Sequence, residues 1–181
     1  MESLESRNQN LSFNALTALS ARKGIPALRN PGALRTSDGR YSNLALLLSD
    51  QCPWDTVIVS DRGAHRIGGS VAAQVSSSNW AVTRSRSSLS ADSEAGAMHA
   101  AALSEVILNA ACHRSYFVTD PTVIKILPGS ITVVSPGGIV SRHAYGHRTR
   151  NPALADALDC LGFKDWSAHG MGAVMHAYRS C

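Results

Sequence analysis

The chain has 181 residues, of which 44% are hydrophobic and 17% are charged, and its net charge is +4. This length suits one domain, or one domain with a leading segment, and the hydrophobic fraction excludes a wholly disordered chain. The mildly basic balance is compatible with an anionic partner, nucleic acid or nucleotide, without requiring one. The polar start, MESLESRNQN, is no signal peptide, and no apolar run approaches the ~20 residues that span a membrane. We therefore expect a cytoplasmic protein without a membrane partner.

The four cysteines are far apart and follow no metal-binding spacing. They are Cys52, Cys112, Cys160 and Cys181, with no C-x-x-C pair among them. We expect four reduced thiols, most of them buried.

The first half of the chain predicts two helices and a strand. Residues 1–10 are polar, and we expect them to be frayed. An amphipathic helix begins near Leu11, and Gly24 is a plausible stop. The Ala- and Leu-rich run Asn43–Leu48 predicts a second helix, and the β-branched run Thr56–Ser60 predicts a strand.

The second half begins with a Ser/Arg-rich stretch, residues 76–93, which we interpret as a linker. A long helix, Glu94–His113, follows it. The remaining predicted elements are strands at Thr122–Leu127 and Ser130–Ser135 joined by a turn at Pro128-Gly129, a basic loop from Arg142 to Arg150, and a helix from Pro152 to Leu161 that Gly162 ends.

Three polar residues lie on one face of the long helix. Glu105 and Asn109 are four residues apart, and His113 extends the same stripe by one turn. A carboxylate and an amide so placed can hold Mg²⁺ through water and position a second water beside a phosphate. The alternative is a solvent-facing polar stripe, which spacing alone favours because amphipathic helices always have such a face.

Two glycine motifs follow the long helix. Gly137 and Gly138 come directly after a predicted strand, and Gly170 and Gly172 open the last helical segment. Backbone N–H groups at such positions can contact phosphate, although an ordinary tight turn explains each motif equally well. Between the two motifs the basic loop can neutralise phosphate through Arg148 or Arg150, or it is simply solvated.

Long blocks of the chain resemble one bacterial family in order. ALSEVILNAACHRSY is similar to its A-L-R-E-A-L-x-N-A-x-x-H-R-D-Y block, and ITVVSPGGIV to its strand followed by N/S-P-G-G-L. RTRNPALADALDCLGF is similar to its S-R-N-P-x-L-A-x-x-L-x-x-L-G block, and HGMGAVMHA to its G-T-G-I ending. Upstream, NQNLSFNAL and GRYSNLALLLSDQCP match the segment that precedes these blocks. The chain thus resembles RecG-like, Schlafen/AlbA-type transcriptional regulators, whose C-terminal part is a small GHKL-type ATP-binding module.

The resemblance implies an α/β fold of the two-layer α+β sandwich type. Its sheet is mostly antiparallel with helices on one face, as an incomplete Bergerat (GHKL-like) fold. It divides the chain into a family-specific segment (1–75) after a missing Schlafen/AlbA-type domain, the linker (76–93) and the ATP-binding module (94–181).

The implied function is a nucleotide-binding regulatory module with ATP and Mg²⁺ as cofactors. DNA is a partner in the full-length family context, and homo-oligomer formation is left open. Glu105 is the implied catalytic base, and Asn109 is the implied Mg²⁺ ligand through water. The implied nucleotide contacts are Asn109, His113, Gly137, Gly138, Arg148, Arg150, Gly170 and Gly172.

Two features limit the implied activity. No Walker A motif is present, so the chain encodes no helicase motor and at most a weak ATPase. Ser115 stands where the family has aspartate, which removes a carboxylate near the site. The alternative function is therefore a non-catalytic interaction module, or a truncated paralogue, that has lost ATP binding. Direct nucleic-acid binding through the Arg-rich loops is a third hypothesis.

Overall fold

The computed structural model describes residues 1–25, 31–85, 94–127, 130–137 and 149–163. These residues form five α-helices and four strands, and a 3₁₀ turn at Pro31–Leu34 precedes the second helix. The helices are α1 (Asn14–Lys23), α2 (Asn43–Leu48), α3 (Val71–Ser85), α4 (Glu94–His113) and α5 (Pro152–Cys160), and the strands are β1 (Thr56–Ser60), β2 (Gly63–Ile67), β3 (Thr122–Leu127) and β4 (Ser130–Val134).

The four strands form one mixed sheet in the order β2-β1-β3-β4. The two outer pairings are antiparallel, and the central β1–β3 pairing is parallel. Ile58 and Ile124 are buried while Val57, Val123 and Lys125 are more exposed, as the period of two in a strand requires. Helices α3 and α4 cover the buried face. The expected two-layer arrangement with a mostly antiparallel sheet is therefore present, with a parallel pair at its centre.

Residues 76–85, predicted to be linker, are the last two-thirds of α3. Val71, Val75, Ser78 and Val82 recur at helical spacing, and all four are buried. The serines between them give the stretch a linker-like composition, which conceals its buried stripe. The rest of the predicted linker, residues 86–93, lies outside the described residues.

One hydrophobic core unites both halves of the chain. Leu16 and Leu47 from the first half belong to the same buried cluster as Ile124 and Leu154 from the second. No helix within the described ranges is long and apolar enough to cross a membrane.

Residues 1–10, predicted to be frayed, are built into the fold. Ser6 is 1% exposed, and its N–H donates to the Tyr41 carbonyl at 2.8 Å. The carboxylate of Glu2 accepts hydrogen bonds from the N–H groups of Ala153 (3.1 Å) and Leu154 (2.6 Å) in the first turn of α5. These N–H groups have no partner inside the helix, so Glu2 acts as a cap from the far end of the chain.

Helix α1 is also capped from a distance. Its N-cap residue, Phe13, has no side chain that can accept a hydrogen bond. Asp50, just after α2, accepts from the N–H of Asn14 (2.8 Å), the N–H of Ala15 (3.0 Å) and the hydroxyl of Ser12 (2.9 Å). Asp50 of the LLLSDQCP block therefore stabilises the start of α1 in this chain.

Replacing Asp50 with asparagine should weaken this cap and change the acid sensitivity of the fold. Burial by itself raises the pKa of Asp50, but its hydrogen-bond donors outweigh burial and hold the pKa below its ordinary value. A depressed pKa means that the stabilisation is present above the unfolded-state pKa of about 3.9 and is lost as pH falls through the folded-state value. We expect Asp50→Asn to lower the free energy of unfolding by about 1 kcal/mol near neutral pH, because both carboxylate oxygens accept hydrogen bonds and asparagine has only one acceptor oxygen. The destabilisation by Asp50→Asn should be smaller in strong acid, where Asp50 is protonated. Urea unfolding near neutral pH and below the folded-state pKa of Asp50 would measure the difference.

The matched control is Asp38→Asn, at an exposed turn where the carboxylate accepts a long, 3.4 Å hydrogen bond from the Ser37 hydroxyl. It should leave the stability nearly unchanged at both pH values. Equal stabilities for Asp50→Asn and the unsubstituted protein at neutral pH would contradict the capping role.

Candidate functional site

The Glu105–Asn109 pair lies on α4 and is not a solvent-facing stripe. Glu105 is only 6% exposed, and Asn109 is half-buried. The amide Nδ2 of Asn109 donates to Oε1 of Glu105 at 3.0 Å, as their spacing of four residues allows. The second carboxylate oxygen, Oε2, is buried and accepts no hydrogen bond from the described residues. A buried acceptor of this kind is costly unless a water, an ion or a ligand group reaches it.

His113, the third member of the predicted stripe, is the last residue of α4 and is exposed. Eight residues of helix separate it from Glu105, which is about 12 Å along the helix axis. The structure therefore brings Asn109 to Glu105 and places His113 apart from them.

The end of α4 meets the segment that follows β4. The hydroxyl of Ser135 donates to the carbonyl of Ala110 at 2.8 Å. The N–H of Ser115 donates to the carbonyl of Pro136 at 2.7 Å. Two of the motif blocks, which are separate in the sequence, thus lie side by side.

The start of α5 joins the same place. The side-chain amide of Asn151 donates to the carbonyls of Cys112 (3.0 Å) and Arg114 (2.8 Å), and its backbone N–H donates to Cys112 at 3.1 Å. Arg150 donates from Nη2 to the Gly137 carbonyl at 2.6 Å. We call residues 112–115, 135–137 and 150–151 the α4 C-terminal junction. It satisfies carbonyl groups that the end of a helix leaves without internal partners.

Gly137 has a structural reason to be glycine. Its φ of 129° lies in the region that side chains rarely adopt. A Cβ atom placed there would lie 2.8 Å from the Ser115 nitrogen and 2.9 Å from the Ser115 Cβ. Gly137, which the sequence predicts to approach phosphate, lies close to Ser115, the position at which this chain departs from the family block.

The residues that follow α4 include a buried guanidinium that the sequence analysis did not single out. Arg114 is 2% exposed and donates to the Thr122 hydroxyl at 2.9 Å, to the Val118 carbonyl at 3.4 Å and to the Asp120 carbonyl. Burial lowers the pKa of Arg114. Its position in the HRSY block was the only available signal, and its contacts show that it fixes the connection between α4 and β3.

Tyr116 supports the same connection. Its hydroxyl donates to the Ala111 carbonyl at 3.0 Å, and its ring meets Trp54 edge-on with centroids 5.2 Å apart. Burial raises the pKa of Tyr116 far above its ordinary value. Arg114 and Tyr116 of the HRSY block therefore stabilise the connection between α4 and β3 through packing and hydrogen bonds.

The buried thiols are not reactive groups. Burial raises the pKa of Cys52 to about 11 and that of Cys112 to about 12. A thiol must ionise to act as a nucleophile, so neither group is suited to that chemistry near neutral pH. Cys160 is a free, exposed cysteine, and Cys181 lies outside the described residues.

Several predicted site residues fall outside the described part of the chain. These are Gly138, Arg148, Gly170 and Gly172. Within the described part, no three His, Cys, Asp or Glu side chains form a metal-binding cluster. The oxygens of Glu105 and Asn109 still suit Mg²⁺, because that ion binds through one or two side chains together with water and substrate phosphates.

The fold places the chain in the class of two-layer α+β proteins, with a four-stranded mixed sheet. It is similar to the crystal structure of the DIP2311 protein from Corynebacterium diphtheriae, with a TM-score of 0.66 at 19% sequence identity. The match covers 90% of this chain and 38% of that one, so this chain spans well under half of the neighbour's length. This likeness extends to the fold alone. No known protein family and no curated protein matches the sequence.

Proposed function

We propose that the chain is a nucleotide-binding regulatory module whose ligand is Mg·ATP. The observation that carries the proposal is the buried Glu105 carboxylate, with one oxygen bonded to Asn109 and the other unpaired within the described residues. A buried carboxylate costs free energy, and a ligand or an ordered water that reaches Oε2 would offset that cost. The resemblance of the motif blocks to GHKL-type modules of RecG-like regulators supplies the identity of the ligand.

The roles follow from the chemistry of each side chain. Mg²⁺ would neutralise charge on the phosphates. The carbonyl oxygen of Asn109 remains able to ligate it through water, because the Asn109 amide nitrogen makes the bond to Glu105. Oε2 of Glu105 would orient a water and accept its proton. Close backbone and cationic contacts to the nucleotide would come from Gly137, Gly138, Gly170, Gly172, Arg148 and Arg150.

The fold supports a regulatory use more than fast turnover. The chain would be at most a weak ATPase, since Ser115 supplies no carboxylate and the α4 C-terminal junction holds it against Pro136 and Gly137. As part of a longer regulator, such a module would report nucleotide binding to a DNA-binding partner domain.

The same observation at Ser115 favours a second candidate function. Ser115 is 8% exposed. Its N–H donates to the Pro136 carbonyl, and its Cβ lies close to Gly137. A module that keeps the fold but has lost ATP would act through protein contacts alone. This candidate predicts that no nucleotide stabilises the chain.

Thermal unfolding with and without Mg·ATP separates the two functions. A ligand that binds only the folded state stabilises it by about 2.7 kcal/mol at a hundredfold excess over its dissociation constant. We expect a Mg²⁺-dependent rise in the unfolding midpoint, and we expect Asn109→Ala to abolish it. Glu105→Gln preserves the shape of the side chain and should retain binding while losing any slow hydrolysis.

The control is Glu5→Gln, which neutralises a half-exposed glutamate that pairs with Arg40 on the surface. It should keep the full shift. An unchanged shift in Asn109→Ala would remove this site from the proposal, and no shift in the cooperatively unfolding parent protein would favour the interaction module.

A further inference from the structure

A basic groove lies at the β2 edge of the sheet, between α1, β2 and α3. Its volume is about 550 Å³, and its lining includes Arg22, His65, Arg66, Ser76, Ser77 and Trp80. In the strand order, β2 and β4 are at opposite edges. Three strand spacings, about 14 Å, therefore separate this groove from the edge at which the α4 C-terminal junction lies. None of the described residues that line the groove comes from α4, so the groove is a different surface from the Glu105 site.

The basic side chains of the groove come from two separate elements. Arg22 lies in the last turn of α1, His65 and Arg66 come from β2, and all three side chains are exposed. Among the described residues, no carboxylate lines the groove. Asp55, whose Oδ2 lies 2.6 Å from Nη1 of Arg66, offsets part of the charge of that arginine. The surface that remains is cationic and suits an anion that contacts several positions at once.

Trp80 gives the groove an aromatic wall. Its side chain is 65% exposed, although an indole buries more apolar surface than almost any other side chain. It lies on the solvent side of α3, and the Arg84 guanidinium is 5.2 Å from its ring. Because Arg84 lies over one face of the ring, a nucleobase would stack on the opposite face, with its phosphates on the nearby cations.

We propose that this groove binds a short stretch of single-stranded nucleic acid, with one base stacked on Trp80 and neighbouring phosphates on Arg22 and Arg66. Its volume is within the range of about 300–1,000 Å³ that small-ligand sites occupy, enough for one or two nucleotides of a strand. Stacking requires an unpaired base, so a duplex does not satisfy the site. An acidic peptide would use the cations and leave the indole exposed, which makes nucleic acid the better fit.

The test is a fluorescence-anisotropy titration of the full chain with a fluorescein-labelled oligothymidylate of about ten nucleotides, repeated at several salt concentrations. Trp80→Ala should weaken binding by about fivefold to a hundredfold, because stacking contributes about 1–3 kcal/mol per base. Arg22→Ala and Arg66→Ala should each reduce the slope of log affinity against log salt by about 0.7, the value for one phosphate contact on a single strand.

The chain offers a matched control in Arg40. Like Arg66 it is an exposed arginine in a surface ion pair, with Nε 2.7 Å from Glu5, but it lies outside the groove lining. Arg40→Ala should leave affinity and salt slope unchanged. Because Trp80 is exposed, Trp80→Ala should fold normally, which circular dichroism would verify.

Four results would overturn the proposal. They are no binding to the oligonucleotide, equal binding of Trp80→Ala, displacement by polyglutamate as effective as by oligothymidylate, and equal affinity for a duplex. Full displacement by Mg·ATP would assign the groove to free nucleotide instead. A thermal shift with Mg·ATP that Asn109→Ala removes and Trp80→Ala keeps comes from the Glu105 site, whereas the reverse pattern comes from the groove, so failure of either proposal leaves the other testable.

Discussion

Gly137→Ala should lower the free energy of unfolding by about 2–6 kcal/mol, which combines backbone strain of about 1–3 kcal/mol with overpacking of similar size. The added methyl group meets the backbone nitrogen of Ser115 at 2.8 Å, and that nitrogen is itself bonded to the Pro136 carbonyl at 2.7 Å. No flexible side-chain end is available to move aside. Relief therefore requires the segment after β4 to separate from the end of α4, which also disturbs the bond from Arg150 to the Gly137 carbonyl.

Urea unfolding would measure this effect, and Gly63→Ala provides the control. Gly63 also has positive φ, 104°, but a Cβ there has nothing within 4 Å. It should therefore cost only the backbone strain, about 1–3 kcal/mol. If the two alanine variants were equally stable, the close approach of Gly137 to Ser115 would not be a feature of the protein in solution.

Asn151→Ala should cost about 1.5–4.5 kcal/mol, since it removes the donor from one buried carbonyl, at about 1–3 kcal/mol, and a second hydrogen bond, at about 0.5–1.5 kcal/mol. Asn151 is 3% exposed, and its amide donates to carbonyls at the C-terminal end of α4, one in the last turn and one just after it. Alanine leaves the Cys112 carbonyl with only the backbone N–H of residue 151 and removes the side-chain donor from the Arg114 carbonyl. The measurement is again equilibrium unfolding in urea.

Asn151→Asp sharpens this test. A carboxylate cannot donate to a carbonyl, and its negative charge would lie beside the partial negative charge of the two carbonyl oxygens. It should be at least as destabilising as alanine near neutral pH. The control is Asn43→Ala, which removes a single 3.2 Å bond from a half-buried amide to the Met1 carbonyl and should cost about 1 kcal/mol. A loss for Asn151→Ala no greater than that of Asn43→Ala would contradict the role of Asn151 in the junction.

Elements with a clear local signal were predicted at their observed positions. Helices α2 and α4 and strands β1 and β3 have the predicted bounds. Strand β2, GAHRI, was not predicted, because only Ile67 in it favours a strand and its stability comes from pairing with β1. The parallel β1–β3 pairing was likewise beyond local reasoning, since it joins residues more than sixty positions apart.

The site was predictable only where its geometry is local. Helical spacing alone placed Asn109 beside Glu105, but not the burial of Glu105, which depends on elements packed from elsewhere in the chain. Gly137 was recognised as a close-approach glycine, but its partner Ser115 is twenty-two positions away. The capping carboxylates of Glu2 and Asp50 left no local signal, because each acts on a helix distant in sequence.

The bond between Glu2 and the first turn of α5 links residues 152 positions apart. At about 5–20 residues per second, a ribosome needs roughly 8–30 s to make the chain between them. Throughout that interval the first residues have no helix to cap, and the core face that α5 covers stays open. Closure of this fold therefore has to wait until α5 has been synthesised, and its large loop closure makes it slow relative to helix formation. A nascent chain stalled before residue 154 would expose that face to chaperones and proteases.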